Sequence, residues 1–210
     1  MILRRSKRGG DERSGTPADL LVVGLGNPGE KYAGSRHNVG ADAVDLLAER
    51  HGARLKASKQ NARSDEVVVS GKRLALAVPL TFMNESGLAV QALLRRHGIK
   101  DPQHLVIIQD ELDLEPGRMK VKIGGGLAGH NGLRSIRDHL DNNTDFVRLR
   151  IGVGKPPNPE AGRSWVLKKV SKAEREVLDD AVGRAADAVE TILEEGPERA
   201  MNLYNSQESA

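Results

Sequence analysis

Short apolar runs alternate with amphipathic segments along most of the chain. Unbroken apolar runs predict buried strands at 20–23 and 105–108, and alternating runs predict strands at 119–123 and 146–153. Apolar residues spaced three and four apart predict helices, which are placed at 39–51, 87–97, near 133–140, and from Ser171 to Gly196-Pro197. Two further strands, 66–69 and 73–78, flank a hairpin turn at Ser70-Gly71. Together these elements predict a single α/β domain whose mixed, mostly parallel central sheet is flanked by helices.

The last helix carries the clearest helical signal. Ser171 and Glu174 have the spacing of a capping box, and Gly196-Pro197 is a stop signal. The stripe that we expect to face the core consists of Val177, Leu178, Ala181, Val182, Ala185, Val189, Ile192 and Leu193.

Composition removes several classes of chemistry. The 210 residues include no cysteine, which excludes disulfides, thiol catalysis and Cys-ligated metal centres. With only two Tyr, two Phe and one Trp, the chain is unsuited to a stacking platform for long single strands. The longest apolar stretch near the N-terminus, 20–23, is too short for a membrane span or a signal peptide. We therefore expect a cytoplasmic protein.

Charge is distributed unevenly, although the formal net charge is only +3. Residues 1–18 hold five cations and two anions without periodicity, and we expect a disordered basic extension ahead of a domain at 19–210. A transit peptide is the less favoured interpretation of this segment, because transit peptides contain few acidic residues and this segment has two. Seven cations and three anions fall within 118–150, whereas 171–199 holds four cations and nine anions. This segregation predicts a local anion-binding surface.

Two nucleotide-binding patterns fail on their context. Gly24-Leu25-Gly26-Asn27-Pro28-Gly29 has the glycine spacing of a dinucleotide-binding loop. Such a loop must open directly into a helix, but Pro28-Gly29 predicts a turn and the helix begins only near 39. The strand end at 106–111 resembles a magnesium-binding acidic strand, but the sequence lacks the phosphate-binding loop that would accompany it. We therefore expect neither a nicotinamide site nor a magnesium site of the P-loop type.

His37 and Asp110 are the first candidates for catalysis. Asp110 ends an apolar strand, where α/β sheets commonly place their sites, and His37 lies in the loop after the first strand. An imidazole oriented by a carboxylate can serve as a general base, whereas a lone loop histidine is usually just solvated. Because no Gly-x-Ser-x-Gly nucleophile motif accompanies the pair, such a base would activate water directly.

Further candidates lie at turns. Asn27, Asn84 and Asn131 can donate an amide to a carbonyl or hydroxyl, or merely serve as turn residues, with Asn131 as a helix cap. The glycine-rich loop 124–132 allows backbone N–H groups to approach a phosphate or a sugar, or is a flexible surface loop. His130 lies in this loop without an obvious carboxylate nearby.

Cations alternate with apolar residues in two predicted strands. Period-two alternation places Lys120 with Lys122 on one face, and Arg148 with Arg150 likewise. If the strands are neighbours with matching faces, the four cations form one patch suited to a phosphodiester backbone. A solvated outer face explains the pattern equally well.

Taken in order, these segments resemble the bacterial-type peptidyl-tRNA hydrolases over about residues 20–205. The matching segments are Gly24-Leu25-Gly26-Asn27-Pro28-Gly29, Tyr32, Arg36-His37-Asn38, Thr81-Phe82-Met83-Asn84-Glu85-Ser86-Gly87, Asp110-Glu111-Leu112-Asp113-Leu114, Gly129-His130-Asn131-Gly132-Leu133 and Arg148-Leu149-Arg150-Ile151-Gly152. The resemblance implies a single α/β domain that hydrolyses the ester between a peptide and the 3′ ribose of tRNA, without a metal or cofactor. It also implies peptidyl-tRNA as the partner, and a monomer with no membrane and no obligate protein partner.

The resemblance also implies roles for individual residues. His37 matches the histidine that accepts a proton from water, Asp110 the aspartate that keeps it in its basic form, and Asn27 the residue that separates blocked from free aminoacyl-tRNA. Met83 lines the cleft near the ester, and the acidic helix after Ser171 borders it. Together with the patterns above, we expect tRNA contacts from Tyr32, Phe82, Asn84, His130, Asn131, Lys120, Lys122, Arg148 and Arg150.

Other readings stay open. Gln109 stands where many relatives have histidine or tyrosine, a departure that touches packing beside the site. One alternative is an RNA-binding scaffold that kept the fold and lost hydrolysis, although the intact set of His37, Asp110, Asn27, Asn84 and Asn131 argues against it. An esterase of small N-acyl amino acid esters would not need the cationic strands.

Overall fold

A computed structural model describes residues 16–206, so most of the expected extension at 1–18 lies outside the described residues. The chain forms one seven-stranded sheet with helices on both faces. Its strands are β1 (Leu20–Gly24), β2 (Lys56–Ser58), β3 (Ala62–Val69), β4 (Lys72–Pro79), β5 (Leu105–Glu111), β6 (Met119–Ile123) and β7 (Val147–Gly152). Its helices are α1 (Val39–Arg50), α2 (Ser86–His97), α3 (Asn131–His139), α4 (Gly162–Leu167), α5 (Lys172–Glu195) and α6 (Pro197–Asn205).

The sheet is mixed, as predicted. Its order is β2-β3-β4-β1-β5-β7-β6, and the four central strands β4, β1, β5 and β7 run parallel. The pairs β2–β3, β3–β4 and β6–β7 are antiparallel. The parallel centre places the carboxyl ends of β1 and β5 side by side, which is where sheets of this type form their sites.

Alternating strand residues divide the core into two layers. Val22, Val106 and Ile108 pack with the residues of α1 and α5 on one face. Leu21 and Ile107 pack with α2 and α3 on the other. Because successive side chains of a strand point to opposite faces, β1 and the first four residues of β5 are apolar on both faces, which explains the unbroken apolar runs at 20–23 and 105–108.

The start of α1 lies unusually close to the ends of β1 and β5. A Cβ atom on Gly40 would lie 2.1 Å from the carbonyl oxygen of Ile108, and one on Gly24 would lie 2.1 Å from the carbonyl oxygen of Gly40. The Leu25 N–H donates to the same Ile108 oxygen over 2.9 Å. Because His37 lies only three residues before Gly40, this close packing brings it to the end of β5.

Several elements differ from the predicted ones. The strand β2 and the helices α4 and α6 are additional, and α3 begins at Asn131 rather than near 133. Ser171 caps α5 by accepting from the Glu174 N–H, but the Glu174 carboxylate binds Arg36 instead of completing a capping box. Val177, which we expected to face the core, is 43% exposed.

The outer edge of β6 is met by one side chain from α6. Asn205 accepts a hydrogen bond from the Val121 N–H through Oδ1 and donates to the Val121 carbonyl through Nδ2, both over 2.8 Å. The amide group thereby pairs with both backbone groups of Val121, as a neighbouring strand would.

We expect Gly40→Ala to lower the free energy of unfolding by about 1–3 kcal/mol, because the added methyl group must push α1 away from β5. Gly183→Ala in α5 is the control, since a Cβ there meets no heavy atom of residues 16–206 within 4 Å. The control should gain about 0.5–1 kcal/mol from lower backbone entropy. Urea unfolding measures both, and equal midpoints for Gly40→Ala and the parent chain would contradict the close packing.

Candidate active site

A cleft of about 700 Å³ opens at the carboxyl ends of β1 and β5. Nine of the predicted site residues line it: Asn27, Tyr32, His37, Phe82, Met83, Asn84, Asp110, His130 and Asn131. The remaining lining comes from the end of β5, the glycine-rich loop before α3, and α4. Segments far apart in sequence therefore meet in one concave site, which lies at the end of the strand that carries Asp110.

A buried carboxylate stands between two imidazoles in this cleft. Asp110 Oδ1 lies 2.7 Å from Nδ1 of His37 and 3.0 Å from Nε2 of His130. The two rings are 5.1 Å apart between centroids, and the Asp110 side chain is 2% exposed. The predicted contact between His37 and Asp110 is confirmed as a contact. The expectation that His130 has no carboxylate nearby is wrong, because the loop folds back onto the strand end.

Backbone donors decide which nitrogen of His130 carries its proton. His130 is the N-cap of α3, and its Nδ1 accepts from the N–H groups of Gly132 and Leu133 at 3.1 and 3.3 Å. A nitrogen that accepts cannot also hold a proton, so the neutral ring has its proton on Nε2 and donates it to Asp110. His130 thus fills the cap position that the sequence suggested for Asn131.

Asp110 in turn orients His37. Burial by itself would raise the pKa of Asp110, but the adjacent His37 and His130 outweigh it and hold that pKa below its ordinary value. The ionised carboxylate accepts a hydrogen bond from His37 Nδ1, so the Nε2 atom of the neutral ring carries a lone pair. Nε2 faces the cleft and has no hydrogen-bond partner among the described residues. The arrangement can accept a proton at His37 Nε2.

The same three side chains also cluster as the ligands of a metal ion would. Their ligand atoms lie within 4.8 Å of one another, close enough for one ion. A neutral imidazole that binds a metal through Nε2 must carry its proton on Nδ1, but in His130 that position faces two backbone N–H groups. Within residues 16–206 this group therefore fits a hydrogen-bonded triad better than a metal centre.

Asn27 is fixed so that it presents a donor to the cleft. Its backbone N–H donates to Asn38 Oδ1, and its carbonyl accepts from Asn38 Nδ2. Its own Oδ1 accepts from the Met83 N–H over 2.9 Å. Only Nδ2 is left, and it forms no hydrogen bond within the described part of the chain. The sequence reasoning gave Asn38 no role, although it stands beside His37 in the Arg36-His37-Asn38 motif.

Other predicted residues lie toward the rim. Phe82 is 54% exposed, and Asn84 is exposed beside it. Tyr32 is half-buried with the Lys31 ammonium 5.6 Å from its ring centroid. Asn131 is exposed, and its Oδ1 accepts from Arg134. These side chains are accessible to a large substrate that enters from solvent.

The four cations share one face, as the alternation predicted, but they differ in depth. In the β6–β7 ladder Lys120 stands opposite Arg150, and Lys122 opposite Arg148. Lys122 is exposed, and Arg150 pairs with the buried Glu111 over 2.9 Å. Arg148 is only 1% exposed and donates to the carbonyls of the glycine-rich loop at 124 and 126. Arg148 therefore supports that loop from below instead of presenting its charge at the surface.

Gln109 lies on the face of β5 opposite to Asp110. It is fully buried, and neither atom of its amide has a hydrogen-bond partner among the described residues. The position is beside the candidate site but outside the lining of the cleft.

None of the helices that the structure describes is both long enough and apolar enough to cross a membrane.

Comparison with known proteins gives consistent matches along the chain. The family model described as peptidyl-tRNA hydrolase matches residues 21–210. A curated peptidyl-tRNA hydrolase from Chloroflexus aurantiacus is 45% identical over 185 residues, covering 88% of this chain and 98% of the relative. One from Haemophilus influenzae is 46% identical over 187 residues, covering 89% and 96%. A crystal structure of peptidyl-tRNA hydrolase from Acinetobacter baumannii superposes with a TM-score of 0.84 at 38% identity, covering 92% and 98%.

Nitrogen-15 NMR at neutral pH should find the His130 proton on Nε2 and the His37 proton on Nδ1. In Asp110→Asn, His130 should keep its tautomer because the backbone fixes it, whereas His37 should become a mixture because only Asp110 orients it. A proton on Nδ1 of His130 in the parent chain would contradict the geometry of the cap.

Proposed function

Because the chain belongs to the peptidyl-tRNA hydrolase family, a family of hydrolases, we propose that its cleft hydrolyses the ester between a peptide, or an N-blocked aminoacyl group, and the 3′ ribose of tRNA. The observation that carries the mechanism is the His37–Asp110 hydrogen bond, which leaves His37 Nε2 able to accept a proton in the cleft. In this proposal His37 is the general base, and water is the nucleophile.

The proposed reaction needs only the groups of the cleft and water. His37 Nε2 takes a proton from water as the oxygen attacks the ester carbonyl, and the imidazolium that forms is stabilised by the Asp110 carboxylate. Collapse of the tetrahedral intermediate breaks the bond to the ribose oxygen, which receives the proton from His37. The products are a free carboxylic acid and free tRNA.

His130 supports this step through Asp110. Its Nε2–H shares the carboxylate oxygen that accepts from His37, so it holds the carboxylate in place without competing for the water. We assign it to positioning, in addition to the tRNA contact expected from the sequence.

Asn27 is suited to separate blocked from unblocked substrates. Its Oδ1 is occupied by the Met83 N–H, so the cleft meets the donor Nδ2. A blocked α-nitrogen brings a carbonyl that accepts from this donor, whereas a free α-ammonium has no acceptor to offer. Met83, beside Asn27, lies where the ester would be.

The tRNA is proposed to lie across the exposed cations and the rim. Lys122 is open to phosphates, with Lys120 and Arg150 beside it in the ladder, while Arg148 acts by supporting the glycine-rich loop. Rim contacts with the 3′ end are assigned to Tyr32, Phe82, Asn84 and Asn131. Because residues of one chain line the cleft, we propose that the protein acts as a monomer. We also propose that it acts in the cytoplasm.

His37→Ala should lower turnover of N-blocked aminoacyl-tRNA by about 10²–10⁴-fold while leaving tRNA affinity nearly intact, since it removes the base alone. Release of free tRNA is measured in parallel on the same tRNA with an unblocked amino acid, which should resist cleavage. The matched control is His104→Ala, an exposed histidine outside the cleft. Near-normal turnover in His37→Ala would remove His37 from its role. Tight binding without cleavage by the parent chain would favour an RNA-binding scaffold.

Lys122→Ala should weaken tRNA binding and reduce the salt slope by about one phosphate contact, because it removes one exposed cation. Affinity is measured across a salt series with Lys56→Ala, an exposed cation on the far edge strand, as the control. An unchanged slope in Lys122→Ala would leave the patch as a solvated face.

A further inference from the structure

The Arg36 side chain is built into the protein beside the proposed base, but it points away from the triad. It is 4% exposed, and its guanidinium stacks 3.7 Å from the centroid of the Trp165 ring. Nε and Nη2 each donate to a different oxygen of Glu174 over 2.6 Å, and Nη1 donates to the Trp165 carbonyl over 3.1 Å. Only arginine has a planar side chain that can form a bidentate pair with a carboxylate and stack on an aromatic ring at the same time.

These contacts hold α4 against the segment that precedes His37. Trp165 is within α4, and its indole N–H donates to the Gly154 carbonyl over 3.0 Å. The chain after α4 is tied to the same segment, because Val170 N–H donates to the Gly34 carbonyl and Ser35 forms a β-bridge with Lys169. Arg36 is thus the side-chain part of a junction that sets the position of α4.

One wall of the cleft depends on that position. Val166 and Leu167 of α4 line the cleft and give this wall an apolar lining, with Gly162 and Arg163 nearer its start. The glycine-rich loop on another part of the cleft rests instead on Arg148 and lies beside Lys122. The two walls are therefore supported separately, one by the cation-bearing strands and the other by Arg36.

His37 itself does not depend on the Arg36 side chain. His37 is hydrogen-bonded to Asp110, and Asn38 is bonded to Asn27 through two hydrogen bonds. Loss of the Arg36 contacts would release α4 while these bonds keep the base in place.

We propose that Arg36 is a positioning residue that fixes α4 as the wall for the peptide part of the substrate. The inference rests on the proposed function, because the peptide is the part of that substrate that carries no phosphate. Its specific content is that Arg36 acts on binding of the acyl group and not on proton transfer.

The test is Arg36→Lys in the full chain, with N-blocked aminoacyl-tRNA as substrate and deacylated tRNA as a competitor. We expect KM to rise about tenfold, near the lower end of what one apolar contact contributes to discrimination. We expect kcat and its pH profile to stay unchanged, the signature of lost uniform binding, together with an unchanged inhibition constant for deacylated tRNA. Trp165 is the only tryptophan of the chain, so its emission should move to longer wavelength as the ring gains solvent.

Arg175→Lys is the matched control. Arg175 also forms ion pairs from α5, but its partners are Asp42 in α1, over 2.7 Å, and Asp179 in α5 itself, so α4 is not involved. It should change neither KM nor the emission of Trp165, even if it costs similar stability. If Arg36→Lys does not fold, Glu174→Gln, which weakens the same pair, takes its place.

Three outcomes would overturn the proposal. A fall in kcat with unchanged KM would mean that Arg36 positions His37. An equal loss of affinity for deacylated tRNA would mean that α4 contacts RNA. Unchanged kinetics together with unchanged emission would remove the junction altogether. If the parent chain cleaves no ester, the proposed function fails, whereas the emission of Trp165 still reports whether Arg36 holds α4.

Discussion

A single carboxylate oxygen, buried at the end of a central strand, accepts hydrogen bonds from two imidazoles. Removing a carboxylate from water costs several kcal/mol, and the cost is tolerated only when donors surround the charge. Asp110 obtains one donor from the loop after β1 and the other from the loop before α3. His37 reaches it because α1 packs directly on the strand ends, which Gly24 and Gly40 permit. His130 reaches it because it is the N-cap of α3, which begins at Asn131. The architecture of the cleft follows from the need to satisfy this one group.

His130 links helix formation to the chemistry of the cleft. The same nitrogen that accepts from the first N–H groups of α3 forces the proton to the opposite side of the ring, toward Asp110. The fold therefore fixes the protonation pattern of His130 through the backbone, and Asp110 passes an equivalent constraint to His37. The two rings differ at the nitrogen that does not contact Asp110. In His130 this atom is Nδ1, which accepts from backbone N–H groups, whereas in His37 it is Nε2, which is open to the cleft. In the proposed function, this difference separates the supporting imidazole of His130 from the reactive imidazole of His37.

Much of this could be predicted from the sequence, because strand ends and loops after strands are visible as patterns. The sheet class, the long helix α5 and the meeting of His37 with Asp110 follow from such patterns. The contact of His130 with Asp110 could not be predicted in this way, because the two residues are 20 positions apart and meet only when the glycine-rich loop folds back onto the strand end. Alternation likewise gave the common face of the four cations but not their depth, so the burial of Arg148 under its loop was missed. Short helices such as α4, whose six residues follow a proline-rich loop, carry too few periodic residues to be recognised.

Asn205 affects which backbone groups at the edge of the sheet are available to pair with another copy of the molecule. A strand at the border of a sheet carries unused N–H and C=O groups that can recruit a strand from another molecule. On β6 one such pair, at Val121, is occupied by the side chain of Asn205, the last residue of α6. Shortening the chain ahead of Asn205 would leave the cleft residues untouched and yet free this border for sheet extension between molecules. The last residue of α6 thereby covers part of this border, at a distance from the site where the chemistry is proposed to occur.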